Sequence, residues 1–409
     1  MERTILTNLK AWKSASRRKP LVIKGARQVG KTWAMKAFGN AAYEDSIYLN
    51  FERDKQLQNL FEQDFDLDRI LLAFQVQTGI VPKPGKTLII LDEVQEAKGG
   101  LTVLKYFYEE KPEYHIIAAG SLLGVSMTGQ SFPVGKVDFM EMYPMTFYEF
   151  LKALDEEQLV ELLQDRQWKL IKTFRSRYIE RLKQYYFVGG MPEAVELFIQ
   201  DNNFNAVRTV QENILSAYDN DFSKHAAPDL IPRIRLLWNS LSSQLARENK
   251  KFVYGIVKQG ARAREYERAL EWLEQYGLTH RVERITNPGI PLKAYADPNA
   301  FKLFALDVGL LIAHTGLDVK VLLDGNALFR EFKGALTEQF VLQQFISELG
   351  IQPFYWSHER SSGEVDFIFG HKNAFYPVEV KAEINLQAKS LLNFHNKYGP
   401  KRKIARAHV

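Results

Sequence analysis

The sequence predicts a multidomain α/β protein whose first domain is built on a doubly wound parallel sheet. Three observations carry that expectation. Five strand-like runs, PLVIKG (20–25), SIYLNFE (46–52), TLIILDE (87–93), YHIIAAGS (114–121) and VDFMEMY (137–143), alternate with helix-sized segments. From Phe147 to about Lys224 the pattern turns helical, and beyond it helices and strands mix again. At 409 residues the chain is too long for one ordinary core.

An amphipathic helix is expected over residues 4–15, ahead of the first strand. That strand runs into GARQVGKT (25–32) and then a helix-prone stretch. The spacing G-x-x-x-x-G-K-[ST] is that of a phosphate-binding loop. Its glycines let successive backbone N–H groups point at one centre, and the following helix N-terminus adds about half a positive charge. Gly25, Ala26, Arg27, Gln28, Val29, Gly30, Lys31 and Thr32 are therefore the expected nucleotide cradle. Lys31 would reach the β- and γ-phosphates, and the Thr32 hydroxyl would hold Mg²⁺. The plainer alternative is a turn with a surface lysine.

The third run ends in Asp92-Glu93, acids at the carboxyl end of an apolar strand, where open α/β sheets bind ligands. Asp92 is expected to hold Mg²⁺ through water and Glu93 to polarise an attacking water. Two motifs in this order favour nucleotide binding and hydrolysis over a strand that happens to end in acids. Ser121 closes the fourth run, and a γ-phosphate sensor or an ordinary Gly-Ser turn are both open there.

Composition narrows the class. Hydrophobic content of 46% and charged content of 25% are those of a soluble globular protein. The absence of cysteine excludes disulfides and Cys-ligated zinc or iron–sulfur sites, and the eight histidines show no metal-ligand spacing. The N-terminus has no apolar core of a secretory signal, and no run approaches a membrane span, so the cytoplasm is the expected location and a membrane is not an expected partner. A net charge of +5 permits nucleic-acid binding without demanding it.

The helical stretch is expected to form a lid, with Pro192 after Gly189-Gly190 starting a new helix. Residues 231–307 show three helices and two strands, the pattern of a winged helix. Its third helix carries Arg262, Arg264 and Arg268 but also Glu265, Glu267, Glu271 and Glu274, a mixture poorly suited to phosphates, so a protein contact is at least as good a reading. In GEVDFIFG and FYPVEVK, period-two alternation puts Asp366 on one face and Glu379 with Lys381 on another, opposite the apolar residues of their strands. Paired, these strands would gather two carboxylates and a lysine, either a Mg²⁺ site for phosphodiester cleavage or a solvated face with a salt bridge.

GARQVGKT, YLNFE, LIILDEVQ, AAGSLLG, YPMTFYEFL, VGGMPEAV, ALDVGLL, GALTEQFV and GEVDF with VEVKAE occur in the order seen in bacterial and archaeal AAA-type, STAND-like P-loop ATPases that carry a C-terminal domain of unknown function, and the chain resembles that family over nearly its whole length. The resemblance implies ATP and Mg²⁺ as cofactors and a C-terminal domain like the PD-(D/E)xK nuclease fold. Asp366, Glu379 and Lys381 would take that fold's metal and lysine positions, and Glu338 would add another acid. GGMP is similar to the Gly-x-Pro of STAND-type ATPases, which would place Pro192 near the adenine. In FPVGKVDF, Lys136 stands where many relatives carry Gly-Arg. The expected domains are a P-loop core (1–146), a helical lid (147–228), a winged helix (229–325) and a restriction-endonuclease-like α/β domain (326–409), an incomplete form of the last being among the expectations. The expected function is ATP hydrolysis coupled to conformational change acting on DNA or RNA. The alternative is a nucleotide switch with an inactive nuclease-like domain that binds a protein partner or a second copy.

Overall fold

The computed structural model describes residues 1–62, 64–121, 135–245, 251–318, 320, 327–358, 363–381, 389–399 and 407–408. They divide into two compact units, Met1–Tyr143 with Gln275–Gly277, and Pro144–Glu274 with Leu278–Val409.

In the first unit the order is α1 (Thr4–Ser14), β1 (Leu21–Lys24), α2 (Lys31–Ala42), β2 (Asp45–Asn50), α3 (Leu67–Thr78), β3 (Thr87–Asp92), α4 (Gly100–Glu110), β4 (His115–Ala119) and β5 (Asp138–Glu141). All five expected strands are present and form one parallel sheet in the order β2-β3-β4-β1-β5. Every residue of β3 and β4 is buried, as strands covered on both faces require. Leu49, Ile89, Leu91, Ile116 and Ala118 from the sheet join Ile70, Phe74, Leu104 and Phe107 from α3 and α4 in one apolar core. The helix ends follow local chemistry: Asp66 caps α3 by accepting from Asp68 N and Arg69 N, and Gly79 closes it in the left-handed conformation.

The second unit opens with seven helices: α5 (Phe147–Ala153), α6 (Glu157–Gln164), α7 (Trp168–Thr173), α8 (Arg175–Val188), α9 (Pro192–Asp201), α10 (Phe204–His225) and α11 (Ile231–Leu245). Thr146 and Glu149 form a capping box that fixes the start of α5. Then come α12 (Tyr254–Val257), α13 (Ala263–Gln275), β6 (Thr279–Ile285), β7 (Ala296–Ala305), α14 (Val308–Thr315), α15 (Ala327–Ser347), β8 (Phe354–Ser357), β9 (Glu364–His371), β10 (Ala374–Val378), β11 (Val380–Lys381), α16 (Lys389–Tyr398) and β12 (Ala407–His408).

β6 and β7 pair antiparallel, as the hairpin expected at residues 278–307 requires, but the hairpin does not stand alone. β8 adds to β6 in parallel, and a single sheet runs β10-β9-β8-β6-β7. The boundary that the sequence suggests between residues 325 and 326 thus lies between strands of one sheet. The reason is local: β6 would otherwise offer an open edge, and β8 satisfies it. No helix among the described residues is long and apolar enough to cross a membrane.

Candidate functional site

The loop 25–30 turns at the carboxyl end of β1, and α2 begins at Lys31. Gly25 has φ +146°, and a Cβ there would lie 2.2 Å from the Met142 carbonyl oxygen, so only glycine fits. Gln28 (φ 67°) and Gly30 (φ 96°) are left-handed, which bends the loop around the start of α2. Arg3, buried, donates to Val29 O at 3.1 Å and Tyr143 O at 2.8 Å and braces the loop from the N-terminal helix.

Lys31 is buried, and its Nζ donates to Gly25 O and Ala26 O, both at 2.8 Å. Burial pushes its pKa down to about 8; Glu93 and Asp92 pull upward and Arg27 pushes further down. β3 lies one strand away from β1, with β4 between them, so Asp92 and Ser121 arrive beside the loop. Thr32 Oγ1 donates to Asp92 Oδ2 at 2.7 Å, and Tyr48 OH donates to the same oxygen at 2.8 Å. A hydroxyl and a carboxylate in contact are a hard-oxygen donor set, which fits Mg²⁺.

Glu93 adopts a left-handed backbone, φ 50°, a strained conformation for a non-glycine residue at a strand end. Its Oε2 accepts from Gln95 Nε2 at 2.7 Å, Ser121 Oγ at 3.0 Å and Ser121 N at 3.2 Å. Ser121 Oγ in turn accepts from Arg27 Nε at 3.2 Å. Lys136 pairs with Glu109 at 2.9 Å.

The residues singled out from the sequence in the first unit, Gly25–Thr32, Asp92, Glu93 and Ser121, thus come together. Tyr48 and Gln95, which open YLNFE and close LIILDEVQ but were given no role there, join them, as does Arg3, which lies in no motif. Gln95 was within reach, two residues past the acid it holds, whereas nothing in the pattern marks Arg3, 26 residues from its partner Val29.

The other named residues lie in the second unit. Pro192 opens α9. Before it, Gly190 N donates to Asp307 Oδ2 at 2.7 Å; Asp307 Oδ1 takes Leu310 N at 3.0 Å and its Oδ2 also takes Gln343 Nε2 at 2.9 Å. This buried carboxylate therefore ties the GGMP and ALDVGLL segments to Gln343 on α15, two residues past GALTEQFV. Glu338 lies 3.4 Å from the Nζ of Lys302, a buried lysine in β7 that also pairs with Glu364. Burial opposes the charge on Lys302, but Glu338, Glu364 and Asp366 outweigh it and hold the ammonium well above the ordinary lysine range. Asp366 Oδ2 accepts from Val380 N at 2.7 Å, and Glu379 pairs with Lys381 at 2.6 Å. Strand pairing does bring Asp366 beside residues 379–381, yet no group of three ligating side chains is placed to hold a metal ion among the described residues. Lys302 left one signal in the sequence, a lysine inside the apolar run AFKLFAL.

Residues 17–151 match the family model of an AAA domain, and the five-stranded parallel sheet with its helices is that of a P-loop nucleotide-binding core. Residues 179–320 and 333–409 match two domains of unknown function (DUF8612 and DUF4143). No curated protein matches the chain. Among solved structures, the Walker-type ATPase PABY2304 of Pyrococcus abyssi is similar at 15% identity over 77% of this chain and 95% of that one, with a TM-score of 0.48. The Aeropyrum pernix Orc1 protein in complex with DNA shows 11% identity over 76% and 90%, TM-score 0.28. C. elegans PCH-2 shows 14% identity over 39% and 46%, TM-score 0.25.

Proposed function

We propose that the first unit binds Mg·ATP and hydrolyses it, and that the chain works as a nucleotide switch. The observation that carries this reading is Lys31, a buried ammonium that among the described residues donates to two carbonyl oxygens. Such a cation is costly unless an anion completes it, and a loop of N–H groups at a helix N-terminus selects phosphate.

Each residue then has a task. Lys31 leaves Gly25 O and Ala26 O for the β- and γ-phosphate oxygens. Thr32 and Asp92 hold Mg²⁺, which when bound offsets phosphate charge. Tyr48 keeps Asp92 aimed at Thr32. Glu93 orients the attacking water once its carboxylate is released from Ser121 and Gln95, and Ser121 is placed to feel the terminal phosphate.

In the second unit we infer that the acids of β9 and α15 are matched internally by Lys302 rather than by a divalent ion. This favours the switch over the reading in which residues 229–325 and 326–409 act on DNA or RNA as a winged helix and a nuclease. The test is ATP affinity and turnover of two variants. Lys31→Ala is expected to lose nucleotide binding, whereas Glu93→Gln binds ATP normally and turns over at least ~100-fold more slowly, the usual scale for a lost general base. Wild-type turnover in Glu93→Gln would refute the assignment. Turnover stimulated by DNA, with a stimulation that fades as salt rises, would favour the nucleic-acid reading instead.

A further inference from the structure

We propose that Arg27 is the arginine that reads the γ-phosphate and couples its arrival to Glu93, so that one chain carries its own charge-stabilising arginine. The proposal rests on the nucleotide-site assignment above and deepens it.

Arg27 is the third residue of GARQVGKT, four before Lys31. Its Nε donates to Ser121 Oγ at 3.2 Å, and that oxygen, with the Ser121 amide, holds Glu93 Oε2 at 3.0 and 3.2 Å. A second guanidinium nitrogen lies 3.7 Å from Glu52 Oε1, past the carboxyl end of β2. The guanidinium therefore spans the carboxyl ends of β4 and β2, beside the acids that close β3. A terminal phosphate comes to this place if Lys31 takes the β- and γ-oxygens and Thr32 with Asp92 takes the Mg²⁺.

Two further facts point to an anion there. Arg27 and Lys31 are like charges close enough to disfavour each other, a repulsion that a polyphosphate relieves. Glu93 is occupied by three donors and held in a strained backbone, so its carboxylate is a poor water-orienting group as it stands.

A γ-phosphate offers the planar guanidinium fork of Arg27 two charged oxygens for a bidentate pair, stronger than its bond to the Ser121 hydroxyl and its long contact with Glu52. Moving to it, the guanidinium leaves Ser121 Oγ, Ser121 can turn toward the phosphate, and Glu93 gains freedom to orient water. In hydrolysis the water oxygen bonds to the γ-phosphorus and the bond from that phosphorus to the bridging oxygen breaks. ADP leaves with the electron pair. One water proton stays on the orthophosphate and the other passes through Glu93 to solvent. Arg27 offsets the charge that develops on the γ-oxygens, and ADP, lacking them, leaves it on Ser121.

The test compares full-length wild type, Arg27→Gln and Arg27→Lys in affinity for ADP and for a non-hydrolysable ATP analogue, and in ATP turnover across a dilution series. In Arg27→Gln, ADP affinity should stay within about twofold, which also certifies the fold. Analogue affinity should drop about tenfold, and turnover by ~10²–10³, within reach of the ~10³–10⁵ attributed to arginine donors at transferring phosphates. Arg27→Lys should recover part of both. Wild-type turnover per chain should not change on dilution. Equal loss of ADP and analogue, near-wild-type turnover in Arg27→Gln, or wild-type turnover per chain that climbs with concentration each overturns the proposal. The last assigns the arginine to a second copy. Failure of the underlying site is read separately, from unimpaired turnover in Glu93→Gln.

Discussion

Two buried lysines, one in each unit, make the most instructive pair in the molecule. Lys31 and Lys302 are both inside, and both lie among acids. Among the described residues Lys31 bonds to carbonyl oxygens, with Asp92 and Glu93 turned to other partners, and burial wins: its pKa falls to about 8. Lys302 has Glu338 and Glu364 in contact and Asp366 in its field, and the acids win. The same side chain is therefore an unmatched charge in one place and a matched one in the other. Unmatched buried charge costs folding energy and is retained where a ligand completes it; matched charge fixes one arrangement of the chain.

The largest expected effect breaks the matched cluster. Lys302→Met removes the buried cation paired with Glu338 and Glu364 and should cost about 3–5 kcal/mol in denaturant unfolding, the scale for removing one partner of a buried pair. Lys31→Met should leave stability of the nucleotide-free protein unchanged or raised, since the drop from 10.5 to about 8 represents on the order of 3 kcal/mol of unmet charge. Equal losses in the two variants would erase the distinction. The same cluster decides the metal question. With the ATP site disabled by Asp92→Asn, calorimetry with Mn²⁺ is expected to show no uptake, because the Lys302 ammonium already pairs with Glu338 and Glu364; uptake abolished by Asp366→Ala would restore the nuclease-like site.

How much of this the sequence announces differs between the units for a physical reason. The phosphate loop and the Asp-Glu strand end are local: spacing within eight or nine residues sets their geometry, so Lys31, Thr32, Asp92 and Glu93 could be named and placed. The strand order that brings Ser121 beside them follows from how such sheets wind. Lys302 pairs with Glu338, 36 residues away, and Asp307 with Gly190, 117 residues away. No short pattern encodes those meetings. Alternation along β9 puts Val365, Phe367 and Phe369 on one face, and Val365 and Phe367 are buried, but Phe369 is only partly so and Ile368 on the face of Asp366 is buried too; register could not reveal that a lysine from β7 faces Asp366. The sheet that joins β6 to β8 was hidden likewise, because the residues between them give no sign of which edges pair.

A smaller effect separates the third lysine from both. Lys381 is about one-third exposed and pairs with Glu379, which is buried and has a second oxygen without a partner. Lys381→Met should cost about 1–2 kcal/mol, more than a surface pair because a buried carboxylate loses its counter-ion, and less than Lys302→Met because solvent reaches the site. ATP turnover should not change. A stability loss as large as that of Lys302→Met would mean that Glu379 belongs to the same matched cluster.

An effect of similar size, and the one that reads Lys31 directly, is the pH dependence of ATP affinity. Free Lys31 loses its proton as pH rises through about 8, whereas in the complex phosphate oxygens hold that proton. A phosphate with its second ionisation near 6 is already fully charged there, so the ligand contributes no change of its own. Below pH 8 both forms are protonated and affinity is flat. Above it, binding must take up a proton, and the dissociation constant should rise, approaching tenfold per pH unit. Protein stability without nucleotide moves the other way: the lysine is protonated in the unfolded chain until about 10.5, so the penalty of burying the charge is present below 8 and is relieved between 8 and 10.5. Lys302, held above the ordinary range, keeps its full stabilising effect throughout that window. Calorimetry at pH 8.5 in two buffers of different ionisation heat should record uptake of most of one proton per nucleotide. A dissociation constant that is constant from pH 7 to 9.5 would mean that Lys31 is as well matched as Lys302, and the contrast between the two units would lose its basis.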